Sequence, residues 1–263
     1  MSVSERQINS GAHSGGIVFT DNLTARDLLR LSKYGVSFDH RAKSIFEDDF
    51  HGDTLDTKYS GAKGADAQAV VPTINSQVNG VVRLTSGDVG DTFANDGSSL
   101  THELNWKANQ NNLFIEGRIK PVSSVANVAF FFGFSDSLAT GTLEAPFTLS
   151  GTTFTSNATD AVGILFDTAA TTDTIRCVGV KADTDATPID TSIAPVADTS
   201  YWVEIYVDSS GNATFLIDGV NYGTIANAVT ASVALTPILT IVTRTTASKS
   251  IDLDYWRYGA DRA

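Results

Sequence analysis

The sequence predicts an all-β protein whose two antiparallel sheets pack face to face, and two observations carry this prediction. Residues 201–225, YWVEIYVDSSGNATFLIDGVNYGTI, alternate apolar and polar side chains in two runs, with turns at Ser-Ser-Gly-Asn and at Asp218-Gly219. Because strand side chains alternate in direction, this hairpin has one apolar face that needs a second layer to cover it. The composition agrees, since 42% hydrophobic and 18% charged residues with 21 glycines fit a turn-rich β protein.

The chain divides into an N-terminal arm, residues 1–45, and a sandwich, residues 46–263. Thr24 is a candidate N-cap for one short helix that Gly35 would end, and Leu28, Leu29 and Leu31 form its apolar side. A helix of about ten residues is marginal alone, so it must dock on something. It could be a lid on its own sandwich or an anchor to a larger assembly, and we favour the anchor.

Apolar runs predict further strands along the rest of the chain. They cover residues 46–50, 70–71, 81–85, 100–104, 113–120, 125–134, 161–167, 174–181, 231–243 and 251–258, besides the hairpin. Polar Asp, Asn, Gly, Ser and Thr residues predict loops at 88–99, 136–160 and 182–199, of which 136–160 is expected to protrude.

Four stretches resemble the concanavalin A-like and laminin G-like jelly-roll sandwiches. The hairpin matches their x-W-x-x-I-x-V-D pattern, and Phe46–Phe50 looks like their opening strand. LFIEGRIKP (113–121) and IDLDYWRY (251–258) are similar to strands of laminarinase-type glucanases. The resemblance implies a two-sheet antiparallel jelly roll over most of the chain, of the kind also found in bacteriophage decoration proteins.

Those glucanases carry their catalytic glutamates in an E-x-D-x-x-E or E-x-D-x-E strand, because a retaining mechanism needs two carboxyls about 5 Å apart. The corresponding strand here, Ala161–Asp167, has Asp167 as its only acidic residue. We therefore expect that the chain is not an enzyme. A glycoside hydrolase with other carboxylates stays open as an alternative.

The preferred function is a phage virion structural protein, a capsid decoration, cement or fibre-associated protein attached through Leu28, Leu29 and Leu31. Its expected partners are the major capsid protein or another virion protein and sister chains, with a trimer favoured. It would be made in the host cytoplasm and reside in the virion. The first alternative is a carbohydrate-binding module that contacts a host-surface glycan through one sheet face: Trp202, Glu204, Tyr206, Trp256, Asp254 and Arg118.

Composition limits cofactors and partners. A net charge of −12 argues against binding to nucleic acid or to an anionic membrane, which need Lys and Arg. One cysteine, Cys177, permits no intrachain disulfide. No cofactor is required, but Asp88, Asp91 and Asp96 offer oxygen ligands for calcium. Turn formation explains the same aspartates.

Overall fold

The computed structural model describes residues 43–75, 80–90, 92–122, 124–137 and 144–262. Within these ranges it has eighteen strands, one four-residue α-helix and one 3-10 helix at Ala108–Gln110. The α-helix, α1, is Phe93–Asp96. The strands are β1 Lys43–Asp48, β2 Ser60–Lys63, β3 Val70–Asn75, β4 Val81–Thr85, β5 Ser98–Thr101, β6 Leu113–Pro121, β7 Val128–Ser135, β8 Phe147–Ser150, β9 Thr153–Ser156, β10 Ala161–Asp167, β11 Arg176–Lys181, β12 Thr184–Asp185, β13 Ile189–Asp190, β14 Tyr201–Val207, β15 Ala213–Ile217, β16 Val220–Ile225, β17 Thr236–Thr243 and β18 Ser250–Asp261.

Two large antiparallel sheets form the sandwich, which confirms the predicted all-β, two-sheet fold. The first sheet has the order β16-β15-β14-β6-β18-β4-β3, with β1 also paired to β18. The second has the order β12-β11-β10-β7-β17-β5-β2, with β13 paired to β11. Both orders combine hairpin neighbours with strands far apart in sequence, and the central pairs β14-β6, β6-β18, β18-β4, β7-β17 and β17-β5 are all long-range.

The core between the sheets comes from alternate residues of each strand. In β14 the predicted pattern is confirmed: Tyr201, Val203, Ile205 and Val207 are buried and the residues between them are half-buried. The second sheet contributes Phe130, Phe132 and Phe134 from β7 and Val162, Ile164 and Phe166 from β10. Cys177 of β11 lies in the same core, and burial raises the pKa of its thiol to about 12.

The segment 144–160 is not a protruding loop, and that prediction is wrong for the part of it that is described. It folds into the hairpin β8–β9, whose Phe147 and Leu149 pack on Phe131 and Leu165 of the second sheet. This second apolar cluster explains why β7 and β10 are buried on both faces. The hairpin therefore covers part of the outer face of the second sheet.

The predicted helix after Thr24 lies outside the described residues, so the division at residue 45 stays a prediction. The first described strand, β1, begins at Lys43 and pairs with β18 from Lys43↔Asp261 to Asp48↔Trp256. No helix in the described ranges is long and apolar enough to cross a membrane.

Candidate functional site

The outer face of the second sheet carries a recess of about 340 Å³. Strands β7, β10 and β17 form its floor, β8 with Glu144, Ala145 and Asn157 forms one wall, and α1 with Thr92 forms the other. Cross-strand pairing aligns two rows of residues, Leu165–Phe131–Thr240 and Asp167–Ala129–Val242, and all of them except Asp167 line the recess. Ala129 is the small residue at the centre of the second row. Its short side chain leaves a hollow there.

An ion pair stands at one end of the recess. Arg244, which follows β17, lines the recess and donates from Nε and Nη2 to the two carboxylate oxygens of Asp167, at 3.2 and 2.6 Å. The Asp167 carboxylate also accepts the backbone N–H groups of Leu149 and Ala169, at 3.2 and 3.0 Å. Asp167 is buried and a quarter of the Arg244 side chain is exposed. Two of these hydrogen bonds fix the guanidinium, and the one from Leu149 ties β8 to β10.

The remaining lining combines aromatic surface with a few polar groups, as ligand pockets commonly do. Phe93, Phe131 and Phe147 supply the rings. Glu144 and Asn157 stand at the solvent-exposed rim, and Asn157 donates to the Ala145 carbonyl at 2.8 Å. Such a lining suits a ligand that has apolar ring faces and hydroxyl groups on its edges.

Local sequence holds α1 in place beside the recess. Thr92 caps the helix by accepting the N–H of Asn95, at 3.3 Å. The buried Asp96 carboxylate accepts the N–H groups of Val89 and Gly90, at 3.1 and 2.7 Å. Asp96 therefore organises the loop that precedes the helix.

The same contacts bear on the calcium prediction. Both carboxylate oxygens of Asp96 accept backbone hydrogen bonds, and Asp91 lies outside the described residues. Across the ranges that the structure describes, no three His, Cys, Asp or Glu side chains gather as a ligand set. Calcium binding by Asp88, Asp91 and Asp96 stays a prediction, and turn formation accounts for the contacts of Asp96.

Most of the predicted sugar-binding residues do meet, on the outer face of the opposite, first sheet. Trp202, Glu204 and Tyr206 alternate outward from β14, and Tyr206 Oη donates to Glu204 Oε2 at 2.6 Å. Arg118 of β6 pairs with Asp254 beside them.

Trp256 is not part of that face, and its prediction as a platform residue is wrong. The register of β18 shifts between Leu253 and Tyr255, which places one extra residue, Asp254, in the strand. Such a bulge reverses the direction of the side chains that follow it. Trp256 is consequently fully buried in the inter-sheet core, while Tyr255 takes the outer position and stacks on Trp202 at 5.4 Å.

Strand β10, where the resemblance to glucanases predicted the catalytic residues, has no carboxylate pair in this chain. Val162, Ile164 and Phe166 of β10 face the inter-sheet core, so Ala161, Gly163, Leu165 and Asp167 face outward. Asp167 is the one acidic residue among them, as the sequence predicted, and it is bonded to Arg244.

Three solved structures show what the fold is similar to. The carbohydrate recognition domain of Emp47p matches with a TM-score of 0.58 at 12% identity, over 85% of this chain and 99% of that one. The β-glucanase of Bacillus licheniformis matches with a TM-score of 0.52 at 12% identity, over 81% and 97%. The κ-carrageenase of Pseudoalteromonas carrageenovora, solved with an oligotetrasaccharide of κ-carrageenan, matches with a TM-score of 0.52 at 13% identity, over 84% and 96%.

The fold is a concanavalin A-like jelly roll. No protein-family model matches the sequence. No curated protein matches it either. At these identities the structural likeness shows the fold alone.

The likeness nevertheless overturns the prediction that the chain is not an enzyme. A glucanase and a carrageenase share the fold over more than four fifths of this chain. A missing E-x-D-x-x-E motif therefore does not exclude hydrolysis by carboxylates at other positions.

The attachment residues Leu28, Leu29 and Leu31 lie outside the described residues. Attachment to a capsid protein, a trimer and residence in a virion accordingly stay predictions.

Sequence reasoning missed the Arg244–Asp167 pair and Glu144. Asp167 and Arg244 are 77 residues apart, and Glu144 lies in a segment that was predicted to be a loop. The one signal available was that Asp167 ends an otherwise apolar strand, a position where a buried charge needs a partner.

Proposed function

We propose that the protein binds a neutral saccharide in the recess of the second sheet. The observation that carries the proposal is the recess itself, in which Phe93, Phe131 and Phe147 lie beside Glu144 and Arg244. Its volume is near the lower end of the roughly 300–1,000 Å³ typical of ligand pockets, which suits a short saccharide.

Charge balance favours a neutral sugar over an acidic one. Asp167 offsets the positive charge of Arg244, so Glu144 leaves the recess with a negative charge. An anionic ligand would be repelled. Glu144 can accept hydrogen bonds from sugar hydroxyls, and the three N–H groups of Arg244 that do not donate to Asp167 can meet sugar oxygens.

The test is calorimetric titration of the full chain with neutral gluco- and galacto-oligosaccharides chosen from a glycan array. Ala129→Leu fills the hollow of the floor, and Glu144→Gln removes the carboxylate charge. Each is expected to weaken binding at least tenfold, because a hydrogen bond to a charged group contributes about 1.5–3 kcal/mol and a filled hollow excludes the ring.

The matched control is Trp202→Ala, which removes an aromatic ring from the other sheet and should leave the affinity unchanged. Binding that survives Ala129→Leu but is lost in Trp202→Ala would move the site to the first sheet. An array without any bound glycan would contradict saccharide binding.

A second candidate is a glycoside hydrolase that uses a carboxylate at the rim. The observation in its favour is that Glu144 lines a recess on a fold shared with a glucanase and a carrageenase. Release of reducing ends from the bound oligosaccharides is the assay. Glu144→Gln should abolish the release, whereas turnover that persists in this variant would exclude Glu144 as the catalytic group.

A further inference from the structure

Four aromatic side chains that pack together between the two sheets contain buried polar atoms without a hydrogen-bond partner. The four residues are His102, which follows β5, Trp106, and Trp256 and Tyr258 of β18. We call them the polar aromatic cluster. The unpaired atoms are both imidazole nitrogens, the two indole Nε1 atoms and the Tyr258 Oη. None of these residues lines the recess of the second sheet.

Tyr258 is the central member of the polar aromatic cluster. The centre of its ring lies 5.6 Å from that of His102, 5.5 Å from that of Trp106 and 5.4 Å from that of Trp256. The exposed fractions are 0% for Tyr258 and Trp256, 7% for Trp106 and 9% for His102. All four side chains are thus more than nine-tenths buried, and the five unpaired atoms belong to rings that share one neighbour.

The main chain holds these side chains inside the sandwich. His102 donates its backbone N–H to Thr236 Oγ1 at 3.2 Å, and the His102 carbonyl accepts from the same hydroxyl at 2.6 Å. Trp106 exchanges two backbone hydrogen bonds with Leu235, at 3.1 and 2.7 Å. Strand β18 is paired on both sides, with β6 and with β1 and β4. The backbone is therefore satisfied at these positions, while the side-chain atoms are not.

The unpaired atoms define what a ligand at the cluster must do. Buried polar side-chain atoms are almost always hydrogen-bonded, because an unpaired one has lost its contacts with water and gained none in return. An indole can only donate, whereas a tyrosine hydroxyl and a neutral imidazole can each donate and accept. Burial lowers the pKa of His102, which favours the neutral imidazole at pH 7. A ligand must therefore both accept and donate hydrogen bonds.

Charge and space restrict the ligand further. Tyr59, which stacks on Trp256 at 5.8 Å, donates to Asp48 Oδ2 at 3.1 Å, so a carboxylate borders the cluster. Burial, and then the charges of Asp48 and Asp56, raise the pKa of the Tyr258 hydroxyl. This negative potential disfavours an anion, and the inward-facing N–H donors disfavour a cation. Ring centres less than 6 Å apart leave room only for a very small neutral molecule.

We propose that the polar aromatic cluster is an internal hydration site, which binds ordered water through Tyr258 Oη, the His102 imidazole and the indole N–H groups of Trp106 and Trp256. Water is small and neutral, and it can donate two hydrogen bonds and accept two. Buried waters typically make about three hydrogen bonds to polar groups that lack other partners. The site thereby satisfies the polar atoms of four core side chains that the protein itself leaves unpaired.

The test is the magnetic relaxation dispersion of ¹⁷O-enriched water in solutions of the full chain, which detects water molecules that stay bound while the protein tumbles. Tyr258→Phe removes the central hydroxyl and keeps the ring. The dispersion amplitude should fall by the equivalent of at least one bound water per chain. The matched control is Tyr255→Phe, which removes a hydroxyl from the outer side of the same strand and should keep the native amplitude.

A second measurement needs no change in the core. In the native chain labelled with ¹⁵N-tryptophan, the indole Nε1–H groups of Trp106 and Trp256 should show nuclear Overhauser effects to bound water; Trp106→Phe and Trp256→Phe assign the two signals. An unchanged ¹⁷O amplitude in folded Tyr258→Phe, an equal fall in Tyr255→Phe, or indole hydrogens without a water signal would each overturn the proposal. The saccharide titration reads the outer face of the second sheet, so either proposal can fail without the other.

Discussion

Removing the charge of Asp167 should destabilise the sandwich, because it breaks a buried, doubly hydrogen-bonded ion pair. The Asp167 side chain is fully buried, and Asp167→Asn replaces one acceptor oxygen with an N–H donor that faces other donors. Breaking a buried pair by changing one partner costs about 3–5 kcal/mol. The quarter exposure of Arg244 places the expected loss near the lower end, at about 3 kcal/mol.

Urea denaturation of a double-mutant cycle measures this effect. Arg244→Met alone should also lower the free energy of unfolding, since it leaves a buried carboxylate with only backbone donors. The double variant should lose less than the sum of the two, with a coupling energy of about 2 kcal/mol. Hydrogen exchange should show reduced protection of the Leu149 amide in Asp167→Asn.

The matched control is the partly exposed pair Arg118–Asp254, where Asp254→Asn should cost no more than about 1 kcal/mol. A coupling energy below about 0.5 kcal/mol between Asp167 and Arg244, or equal losses for both pairs, would refute the reasoning.

Two further predictions concern core aromatics and pH. Trp256→Ala should lower the free energy of unfolding by about 3–5 kcal/mol because it opens a cavity in the core. Trp202→Ala should lower it by only about 1–2 kcal/mol because Trp202 is half-buried. Equal losses for the two variants would contradict the bulge assignment. Burial lowers the pKa of His102 in the folded protein. As the pH falls, this histidine is therefore protonated first in the unfolded chain, which favours unfolding. The His102 contribution to stability should be lost as pH falls below about 6.5. Melting temperatures at pH 7.5 and pH 5 should therefore differ less in His102→Phe than in the native chain, and equal differences in the two proteins would contradict this prediction.

Local pattern was sufficient for most strands, because strands buried on one face must alternate. The hairpin strands Tyr201–Val207 and Ala213–Ile217 lie within the predicted hairpin, residues 201–225. The strand Ala161–Asp167, which is buried on both faces and nearly apolar throughout, has the predicted ends. The alternation of side chains predicted the wrong sheet face for Trp256 in β18. A bulge adds a residue without changing composition, so Trp256 was assigned to the wrong face.

Local sequence pattern did not predict the candidate site, because segments that are distant in sequence form it. Segment 144–160 has the composition of a loop, yet Phe147 and Leu149 pack on the second sheet. Composition alone does not show which surface such a segment will meet.

The sequence by itself determined an acidic all-β chain with two apolar sheet faces, since composition and alternation are local properties of the residues. Tertiary structure decided the side on which Trp256 lies, the hairpin that walls the recess, and the pairing of Asp167 with Arg244. These depend on register and on contacts between residues tens of positions apart, and they follow from which strands come to lie side by side.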